Sequence, residues 1–530
     1  MFKTGYEYNA EYTHNYNIRL FTNINKLRLN FMRKDSFFKD SLILTTSNLT
    51  TGVFGFIFSI VLSKELGAEG LGLYGLVMPI YDLFICLICG GMVTAVSKIA
   101  AGYFSKRDYG NLNKTIDAAL IFDSMWSLFI SALVFFNAYY ISVYIIKDSR
   151  TTEAVKVMCP AMIFIALSSI LKGYFYGISK VKIPAIIDIC EKACRILIII
   201  LIIKIFSVKT LNGTVTAAYV TLTIGELISL ILLYIFYIKN RNNKIYNPSK
   251  SSDKIQLLFD VIVISFPLCL NGFLTTILSA LSALVVPRRL VSAGFNYSTA
   301  LSMIGKFKGM SSTIIFFPII VVTSIATILV PDLAKSISKN DYFAMEERIK
   351  EVVKIAFTLG IASLAICKSI PNELGIMLYN RNDLGQYISF ISWCAPIIYV
   401  GSVTYGILNG FGKQKIILRN SLIVSIEEVI LLYILTGIPS INIYGYGISM
   451  IITGSTILVL NFNEIFKKCN PDFALSNIMV YFLVGLLVYL IIKILVNTMP
   501  ESLAQLKYIF IIICGFTLTF TFCSLFKIKD

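Results

Sequence analysis

Charge and histidine are scarce in this chain. Of its 530 residues, 15% are Asp, Glu, Lys or Arg, and the single histidine is His14. Soluble domains carry roughly 25% charged residues, whereas 56% of this chain is hydrophobic. The composition argues against a soluble fold of this length, and we expect a polytopic membrane protein.

The motifs of common membrane enzymes and pumps are also missing. The sequence contains no HExxH, no GxSxG, no Walker phosphate loop and no cluster of histidines, which are arrangements that metal, acyl-transfer and ATP chemistry use. Cys86 and Cys89 have CxxC spacing, but no second pair accompanies them. We interpret most cysteines as small apolar packing residues. We expect no catalytic activity, no metal ion and no cofactor.

The N-terminal segment has no apolar stretch that could act as a secretory signal. Residues 1–35 are polar, rich in Asn and Tyr, and net positive, so we expect a disordered cytoplasmic tail. Met32 begins a basic stretch that leads into the first apolar run. It is a second candidate start, with residues 1–31 then an upstream extension.

Long apolar runs fill the rest of the chain. A helix of about 20 apolar residues crosses the ~30 Å hydrocarbon layer, and the runs are too long and too continuous for the strands of a barrel. The sequence predicts an all-α polytopic membrane protein with about 14 transmembrane helices. The runs are 41–63, 71–97, 115–146, 154–178, 183–206, 214–238, 256–286, 310–331, 349–370, 385–410, 416–437, 443–463, 474–497 and 505–526.

The distribution of Lys and Arg predicts the orientation. Cytoplasmic loops of membrane proteins are enriched in these residues. With both termini in the cytoplasm, most Lys and Arg residues of this chain fall on the cytoplasmic side. The net charge of +17 then reflects loops of a cell-membrane protein, and no nucleic-acid partner is implied. The basic residues of the expected inside loops are Lys106, Arg107, Lys114, Lys180, Lys182, those of 239–254, Lys335, Lys339, Lys413, Lys415, Arg419, Lys467 and Lys468.

The chain contains an internal repeat. "GYFYGISKVKI" (173–183) matches "GILNGFGKQKI" (406–416), and "RDYGNLNKTI" (107–116) matches "NDYFAMEERI" (340–349), both at an offset of 233. Chance similarity in apolar sequence is the alternative, but two matches at one offset favour a duplicated six-helix unit. An even number of helices makes the two units parallel. We expect a tail (1–40), a first lobe (41–239), a basic linker (240–255), a second lobe (256–466) and two extra helices with a short tail (467–530).

Polar and charged residues inside the runs are candidates for function, because they are costly in a membrane. Asn48 lies among hydroxyls in "TTSNLTTG" (45–52), and Asn271 lies in the seventh run. Asp82 is either a cavity acid or a side chain that reaches the membrane surface.

One run carries several charges on one face. Glu191 and Arg195 are one helical turn apart, which permits an ion pair. Glu226, near the centre of the next run, is either the structural partner of that pair or a site for a coupling ion.

Several segments resemble the stage V sporulation protein B family of polysaccharide-transport proteins. This family is part of the multidrug/oligosaccharidyl-lipid/polysaccharide exporter superfamily and is similar to the lipid II flippases of peptidoglycan synthesis. The resemblance covers residues 32–527. The segments that carry it are "KELGAEGLGLYGLVMPIYDLF" (64–84), "GGMVTAVSKIAA" (90–101), "GISKVKIPAIIDICEKACRI" (177–196), "VVPRRLVSAGF" (285–295), "TSIATILVPDLAK" (323–335) and "NGFGKQKIILRN" (409–420).

The resemblance implies a V-shaped pair of six-helix lobes around a cationic central cavity. The two extra helices would form a groove for a polyprenyl tail. The implied activity is alternating-access flipping of a lipid-linked saccharide, most simply a lipid II-type intermediate for the spore cortex. Arginine suits the pyrophosphate of such a substrate because its planar fork donates hydrogen bonds in pairs. The implied partners are a polyprenyl-pyrophosphate saccharide, the bilayer and cell-wall synthases.

One position departs from the family pattern. Relatives usually carry a basic residue in the first helix, where this sequence reads "GFIFSI" with Ser59. The substrate is then another lipid-linked glycan, or Lys98, Arg288 and Arg289 supply the cations instead. A cation-coupled drug exporter, which would favour an acidic cavity, and a non-transport scaffold for cell-wall synthesis are further alternatives.

Two adjacent arginines end the seventh run. Counting the runs places Arg288 and Arg289 at the external end, where the positive-inside rule does not explain them. They either extend to the lipid headgroups or face the cavity, the latter if Pro287 ends the helix and turns them inward.

Overall fold

The computed structural model describes residues 6–205, 210–241, 253–469, 475–500 and 504–525. Within these ranges the chain is helical with short turns and no strand, so the all-α prediction is confirmed. The helices are α1 (Tyr6–Cys89), α2 (Met92–Ser105), α3 (Tyr109–Phe136), α4 (Ala138–Tyr140), α5 (Thr152–Gly177), α6 (Lys182–Ile205), α7 (Leu211–Asn240), α8 (Lys254–Ser292), α9 (Tyr297–Ile304), α10 (Ser312–Phe316), α11 (Ile319–Ser338), α12 (Tyr342–Ser369), α13 (Pro371–Tyr379), α14 (Gly385–Ile391), α15 (Cys394–Gly410), α16 (Gln414–Leu435), α17 (Tyr444–Phe466), α18 (Leu475–Thr498) and α19 (Ala504–Leu525).

Ten helices of the described ranges are long and apolar enough to cross a membrane, or 11 if α14 and α15, which meet at 46°, form one span. One of the ten runs, Thr45–Ser105, has 61 residues, about 90 Å as a straight helix. It is interrupted at Gly67, whose φ of 66° and ψ of −175° are not helical, so it contains more than one crossing. The predicted total of 14 stays a prediction.

The N-terminal segment differs from the sequence-based expectation. Helix α1 begins at Tyr6, so the expectation of a disordered tail over residues 1–35 is wrong for the part from Tyr6 onward. Polar residues do not prevent helix formation, and no glycine or proline occurs between Tyr6 and Thr51. The basic linker predicted at 240–255 lies mostly outside the described residues.

The backbone repeats at the offset that the sequence suggests. Non-glycine residues with positive φ are rare, yet most of those in the described ranges have a counterpart at this offset, also with positive φ. The pairs are Arg107 (56°) and Asn340 (55°), Lys147 (65°) and Asn380 (60°), and Ser179 (58°) and Gly412 (71°).

Helix capping repeats in the same way. The Asp108 side chain accepts a hydrogen bond from the Asn111 N–H at 3.0 Å at the start of α3. At the start of α12, Asp341 accepts one from the Ala344 N–H at 3.1 Å. An aspartate cap stabilises a helix start by about 1 kcal/mol, so both long helices begin by the same device.

The packing of the helices follows the repeat as well. Helix α5 packs against α2, α3 and α7, and its counterpart α15 packs against α11, α12 and α17. Helices α18 and α19 pack against each other and against α12. We call α1–α7 the first repeat and α8–α17 the second repeat; the lobe boundaries given above remain predictions.

Candidate functional site

The two repeats meet along two seams. The first seam joins α1 to the region where α10 ends and α11 begins. A Cβ placed on Gly52 would lie 2.8 Å from Ile320, and the Phe56 and Phe317 rings stack with centroids 4.2 Å apart. The first seam is therefore in close contact.

Two of the predicted cavity residues lie along this seam. Asn48 is four residues before Gly52 and Ser59 is seven after it, so the three share one helical face. Asn48 is exposed and Ser59 is half-buried. The Ser59 carbonyl accepts the Ser63 hydroxyl at 2.7 Å.

The second seam joins α1 and α2 to α8. The Cys269 thiol donates to the Cys86 carbonyl at 3.1 Å, and a Cβ on Gly91 would lie 2.6 Å from α8. Asp82 is one turn before Cys86, and Lys98 is seven residues after Gly91, so both belong to faces that meet α8. Asp82 and Lys98 are exposed.

Asn271 belongs to the second seam too. It is half-buried on α8, next to Gly272, where a Cβ would lie 2.7 Å from the Cys86 sulfur. The predicted polar residues Asn48, Ser59, Asp82, Lys98 and Asn271 are thus distributed over the two seams rather than gathered in one cluster.

A pseudo-two-fold contact fixes the repeats at one end of the seams. A Cβ on Gly72 would lie 2.1 Å from the Leu301 carbonyl oxygen, and a Cβ on Gly305 would lie 1.9 Å from the Ala68 carbonyl oxygen. The repeat offset relates Gly72 to Gly305, and it also relates Ala68 to Leu301. The same contact is therefore made twice, once from each side, and only glycine permits it.

The arginine pair bridges the repeats. The Arg288 guanidinium donates to the Ile145 carbonyl of the first repeat. Arg289 donates to the Tyr433 carbonyl of the second repeat at 2.8 Å and lies over the Tyr433 ring, 4.3 Å from its centroid. Arg288 thus links the end of α8 to the first repeat, and Arg289 links it to α16 of the second.

The idea that Pro287 ends the helix is wrong, because α8 continues to Ser292. Proline removes one N–H donor and crowds the preceding turn, which this long helix accommodates. The arginines consequently point away from each other as neighbours on a continuing helix.

A charge network lies within the first repeat. The Arg195 Nη2 is 2.7 Å from Glu226 Oε1 across α6 and α7, and Arg195 Nε also pairs with Glu191. Arg195 is 8% and Glu191 4% exposed. Gly225 leaves room for the guanidinium, since a Cβ there would lie 2.6 Å from Arg195 Nε. Glu226 thus forms an ion pair with Arg195, which was one of the two alternatives for this residue.

Further groups surround this network. The Lys172 ammonium is 2.7 Å from Asp188. The buried Tyr81 hydroxyl has no hydrogen-bond partner among the described residues, and it interacts electrostatically with Arg195 and Asp82. Tyr81 therefore lies within electrostatic range of both Asp82 and the network.

Lys308 is a charged residue that the sequence did not single out. Lys308 lies in the π-helical segment Gly305–Ser311, near the Tyr446 hydroxyl and Glu428. Its ammonium is 5.7 Å from the Tyr446 ring centroid, and its side chain remains exposed. The glycines that begin and end "GKFKG" (305–309) are the sequence signal for a close helix contact at this segment.

Each repeat has a loop ion pair at the same two positions, but the acidic and the basic residue have exchanged places. In the first repeat, Asp148 accepts from Arg150 at 2.8 Å. In the second, Asp383 accepts from Arg381 at 2.7 Å and pairs with Lys306 at 2.7 Å. The Arg381 guanidinium, aided by Lys306, holds the pKa of Asp383 well below its usual range.

No group of three His, Cys, Asp or Glu side chains that could hold a metal ion occurs in the part of the chain that the structure describes.

Sequence comparison identifies relatives. Residues 37–336, more than half of the chain, match the model of a family described as polysaccharide biosynthesis protein. The chain is 25% identical to stage V sporulation protein B of Bacillus subtilis (strain 168) over 431 residues, which cover 81% of this chain and 83% of the relative. It is 20% identical to the lipid II flippase MurJ of the same organism, over 71% of this chain and 73% of the relative.

Structure comparison shows the same fold in solved proteins. A lipid II flippase MurJ in an inward closed conformation aligns with a TM-score of 0.68 at 14% identity, covering 91% of this chain and 98% of that protein. An inward-facing multidrug resistance MATE family transporter of the MOP superfamily aligns with a TM-score of 0.64 at 14% identity, covering 81% and 98%. The chain therefore shares its multi-pass membrane fold with these solved flippase and transporter structures.

Proposed function

The chain belongs to the polysaccharide biosynthesis protein family, and from this premise we propose that it is a flippase for a lipid-linked saccharide precursor. The proposed mechanism is alternating access, in which the two repeats rock about a site between them. Both termini lie in the cytoplasm in this proposal, as the distribution of Lys and Arg predicts.

One observation carries the proposal. The two repeats share their turn geometry at one constant sequence offset, and they meet along two seams that carry the polar residues Asn48, Asp82 and Lys98. Parallel repeats with polar groups at their interface are the arrangement that secondary transporters use. A scaffold would need no polar residues inside the membrane, where they cost free energy.

The chemistry of the seams suits a lipid-linked anion. A pyrophosphate cannot cross hydrocarbon alone, because an unpaired charge there is very costly. Lys98 is exposed and forms no salt bridge within the described ranges. It can therefore offer its charge to a headgroup while the lipid tail stays in the bilayer.

The substrate that we propose first is a lipid II-type peptidoglycan intermediate for the spore cortex. Its support is the similarity to a sporulation protein and to a lipid II flippase. Ser59 favours a second candidate, another lipid-linked polysaccharide unit, because it places a hydroxyl on the first seam where relatives usually carry a cation.

The test is reconstitution of the purified protein into liposomes with labelled lipid II or labelled undecaprenyl-pyrophosphate glycans. We expect the label to become accessible across the bilayer faster than in protein-free liposomes. No acceleration with either lipid, under an imposed potential or ion gradient, would contradict the flippase. Export of a cationic drug by the same liposomes would favour the drug-exporter alternative.

Lys98→Ala tests the cation on the second seam. We expect it to reduce the initial rate of flipping about tenfold, because loss of one charge-assisted contact costs about 1.5 kcal/mol. Lys182→Ala is the matched control, because Lys182 is exposed at the start of α6 and outside both seams. Equal rates for the two variants would remove Lys98 from the site.

A further inference from the structure

One carboxylate is enclosed in the first repeat without a partner. Asp123 lies in the middle of α3 and is 0% exposed. Neither of its side-chain oxygens has a hydrogen-bond partner among the described residues. An unpaired buried carboxylate ion costs several kcal/mol. The group must therefore carry a bound positive charge or be neutral in this conformation.

Helical periodicity explains why Asp123 is buried. It belongs to a stripe of residues spaced three or four apart on α3, all buried and packed toward the interior of the repeat. A short aspartate side chain at such a position cannot extend to the membrane surface as a lysine could. Its position in the second repeat is taken by Ala356, which is 1% exposed, so the fold itself does not require a carboxylate there.

A cysteine thiol lies near Asp123. The Cys89 thiol interacts electrostatically with Asp123 and lies near the Ser169 hydroxyl; the thiol donates to the Ile85 carbonyl at 3.3 Å. Two other buried hydroxyls of this repeat, Ser168 and Ser229, also lack partners in the described ranges. No cation of the described residues neutralises the carboxylate.

The helices that pack against α3 offer no ion pair. Lys172 on α5 is held by Asp188, and Glu226 of α7, which interacts with Cys89, is held by Arg195. Asp82 and Lys98 are exposed. The remaining titratable side chains that the structure describes on the adjoining helices are Lys64, Glu65, Glu69, Tyr74, Tyr81 and Cys86 of α1, Tyr103 of α2, Tyr139 and Tyr140 of α4, Glu153, Lys156, Cys159, Tyr174 and Tyr176 of α5, and Lys254, Asp260, Cys269, Arg288 and Arg289 of α8.

We propose that Asp123 is a proton-binding site of the first repeat, neutral in this conformation and able to ionise only when the surrounding helices admit water. A hard metal cation needs several oxygen ligands at close range, and Asp123 belongs to no group of three His, Cys, Asp or Glu side chains among the described residues. A proton needs only the carboxyl group itself.

The site would link proton binding to the movement of the repeats. Protonation stabilises the conformation in which α3 and α5 are tightly packed, and ionisation favours one in which they are hydrated. A cycle that visits both conformations would take up and release one proton. This step goes beyond the proposed function, and its first test does not depend on transport.

Infrared spectroscopy of the full-length protein in nanodiscs tests the protonation state. We expect wild type at pH 7 to show the carbonyl stretch of a neutral carboxyl group, and Asp123→Asn to lose it. Asp117→Asn is the matched control: Asp117 lies on the same helix and pairs with Arg241 at 2.7 Å, so this variant should keep the band. Absence of the band in wild type, or its persistence in Asp123→Asn, would overturn the proposal.

A thermal melt in Na⁺ or choline distinguishes a proton from a metal cation. We expect equal midpoints in the two salts. Stabilisation by Na⁺ that Asp123→Asn removes would overturn the proton assignment. Asp123→Ala, which copies Ala356 of the second repeat, serves both tests if the asparagine variant does not fold.

Flipping assays separate this inference from the proposed function. We expect the initial rate in wild-type liposomes to change with pH, and Asp123→Asn to abolish that dependence. Identical pH profiles would overturn the coupling role. If wild type shows the infrared band but flips no lipid, the flippase proposal fails and the proton site stands.

Discussion

The two repeats share a backbone and differ in the charges they enclose. Asp123 in α3 corresponds to Ala356 in α12, and Arg195 in α6 corresponds to Glu428 in α16. The ion pair of Lys172 with Asp188 at 2.7 Å corresponds to Tyr405 and Ser421, whose hydroxyls are 3.3 Å apart. The first repeat thus has an acid at Asp123 and an ion pair at Lys172 and Asp188 where the second has neutral groups, and the sign of the charge is reversed at Arg195.

The second repeat has its own polar network, at positions where the first is apolar. The Asn420 amide donates to Asn461 at 2.9 Å, and the Asn461 amide donates to Thr404 at 2.8 Å. Their counterparts are Ile187, Ile228 and Leu171. Turn residues and helix caps preserve the backbone, while interior polar groups are free to diverge, so the repeats can perform different tasks.

The largest expected effect concerns the arginine pair, which the first repeat lacks. Gly67 and Gly294 both have positive φ, so we align the ends of the two helices on these glycines. Arg288 and Arg289 then correspond to Val61 and Leu62. We expect Arg288→Ala with Arg289→Ala to abolish flipping while membrane insertion stays intact, since the Arg288 contact with the first repeat and the Arg289 contact with Tyr433 are both lost. If the double variant flips lipid at the wild-type rate, the pair has no role in function. The control is membrane fractionation, which checks that the variant is still inserted.

Removing the central cation of the first repeat should cost the most stability. Arg195→Ala leaves the buried Glu226 without its salt-bridge partner and Glu191 with Lys192 alone, and breaking a buried pair costs about 3–5 kcal/mol. We expect a lower midpoint in thermal unfolding in detergent. Adding Glu191→Gln and Glu226→Gln should recover much of the loss; no recovery would show that packing, and not charge, is responsible.

The glycine contact should be equally sensitive from both sides. Gly72→Ala and Gly305→Ala each place a Cβ against a carbonyl of the other repeat, and overpacking of this kind costs about 1–3 kcal/mol. We expect similar decreases in the unfolding midpoint. Gly75→Ala on the same helix is the control, because a Cβ there meets nothing within 4 Å. Unequal effects would contradict the pseudo-two-fold contact.

The smallest effect concerns the loop pairs of inverted charge. Because the pKa of Asp383 is lower in the folded protein than its usual value, its ion pairs stabilise the fold at neutral pH. This contribution is lost as pH falls below the ordinary aspartate range near ~4. We expect Asp383→Asn to cost less than about 1 kcal/mol at pH 7, as the pair is partly exposed. Equal losses at pH 7 and at pH 3 would contradict this.

Much of the fold could be predicted, and much less of the site. Apolar runs identified the membrane class, and the spacing of Glu191 and Arg195 indicated their ion pair. One of the two alternatives for the arginine pair required Pro287 to end a helix that continues to Ser292. The sequence did not single out Lys308. Hydropathy and spacing describe a segment alone, whereas the partners of a side chain come from distant segments.

The amino-acid order was enough to establish a helical membrane protein with an internal repeat. These properties depend on local composition and on glycine, aspartate and asparagine at the turns. The packing of the helices was needed to show that Arg288 and Arg289 bind backbone carbonyls of opposite repeats, and that Asp123 is buried with no partner in the described ranges. Such facts depend on which helices surround a side chain, and hydropathy cannot distinguish a face toward lipid from a face toward protein.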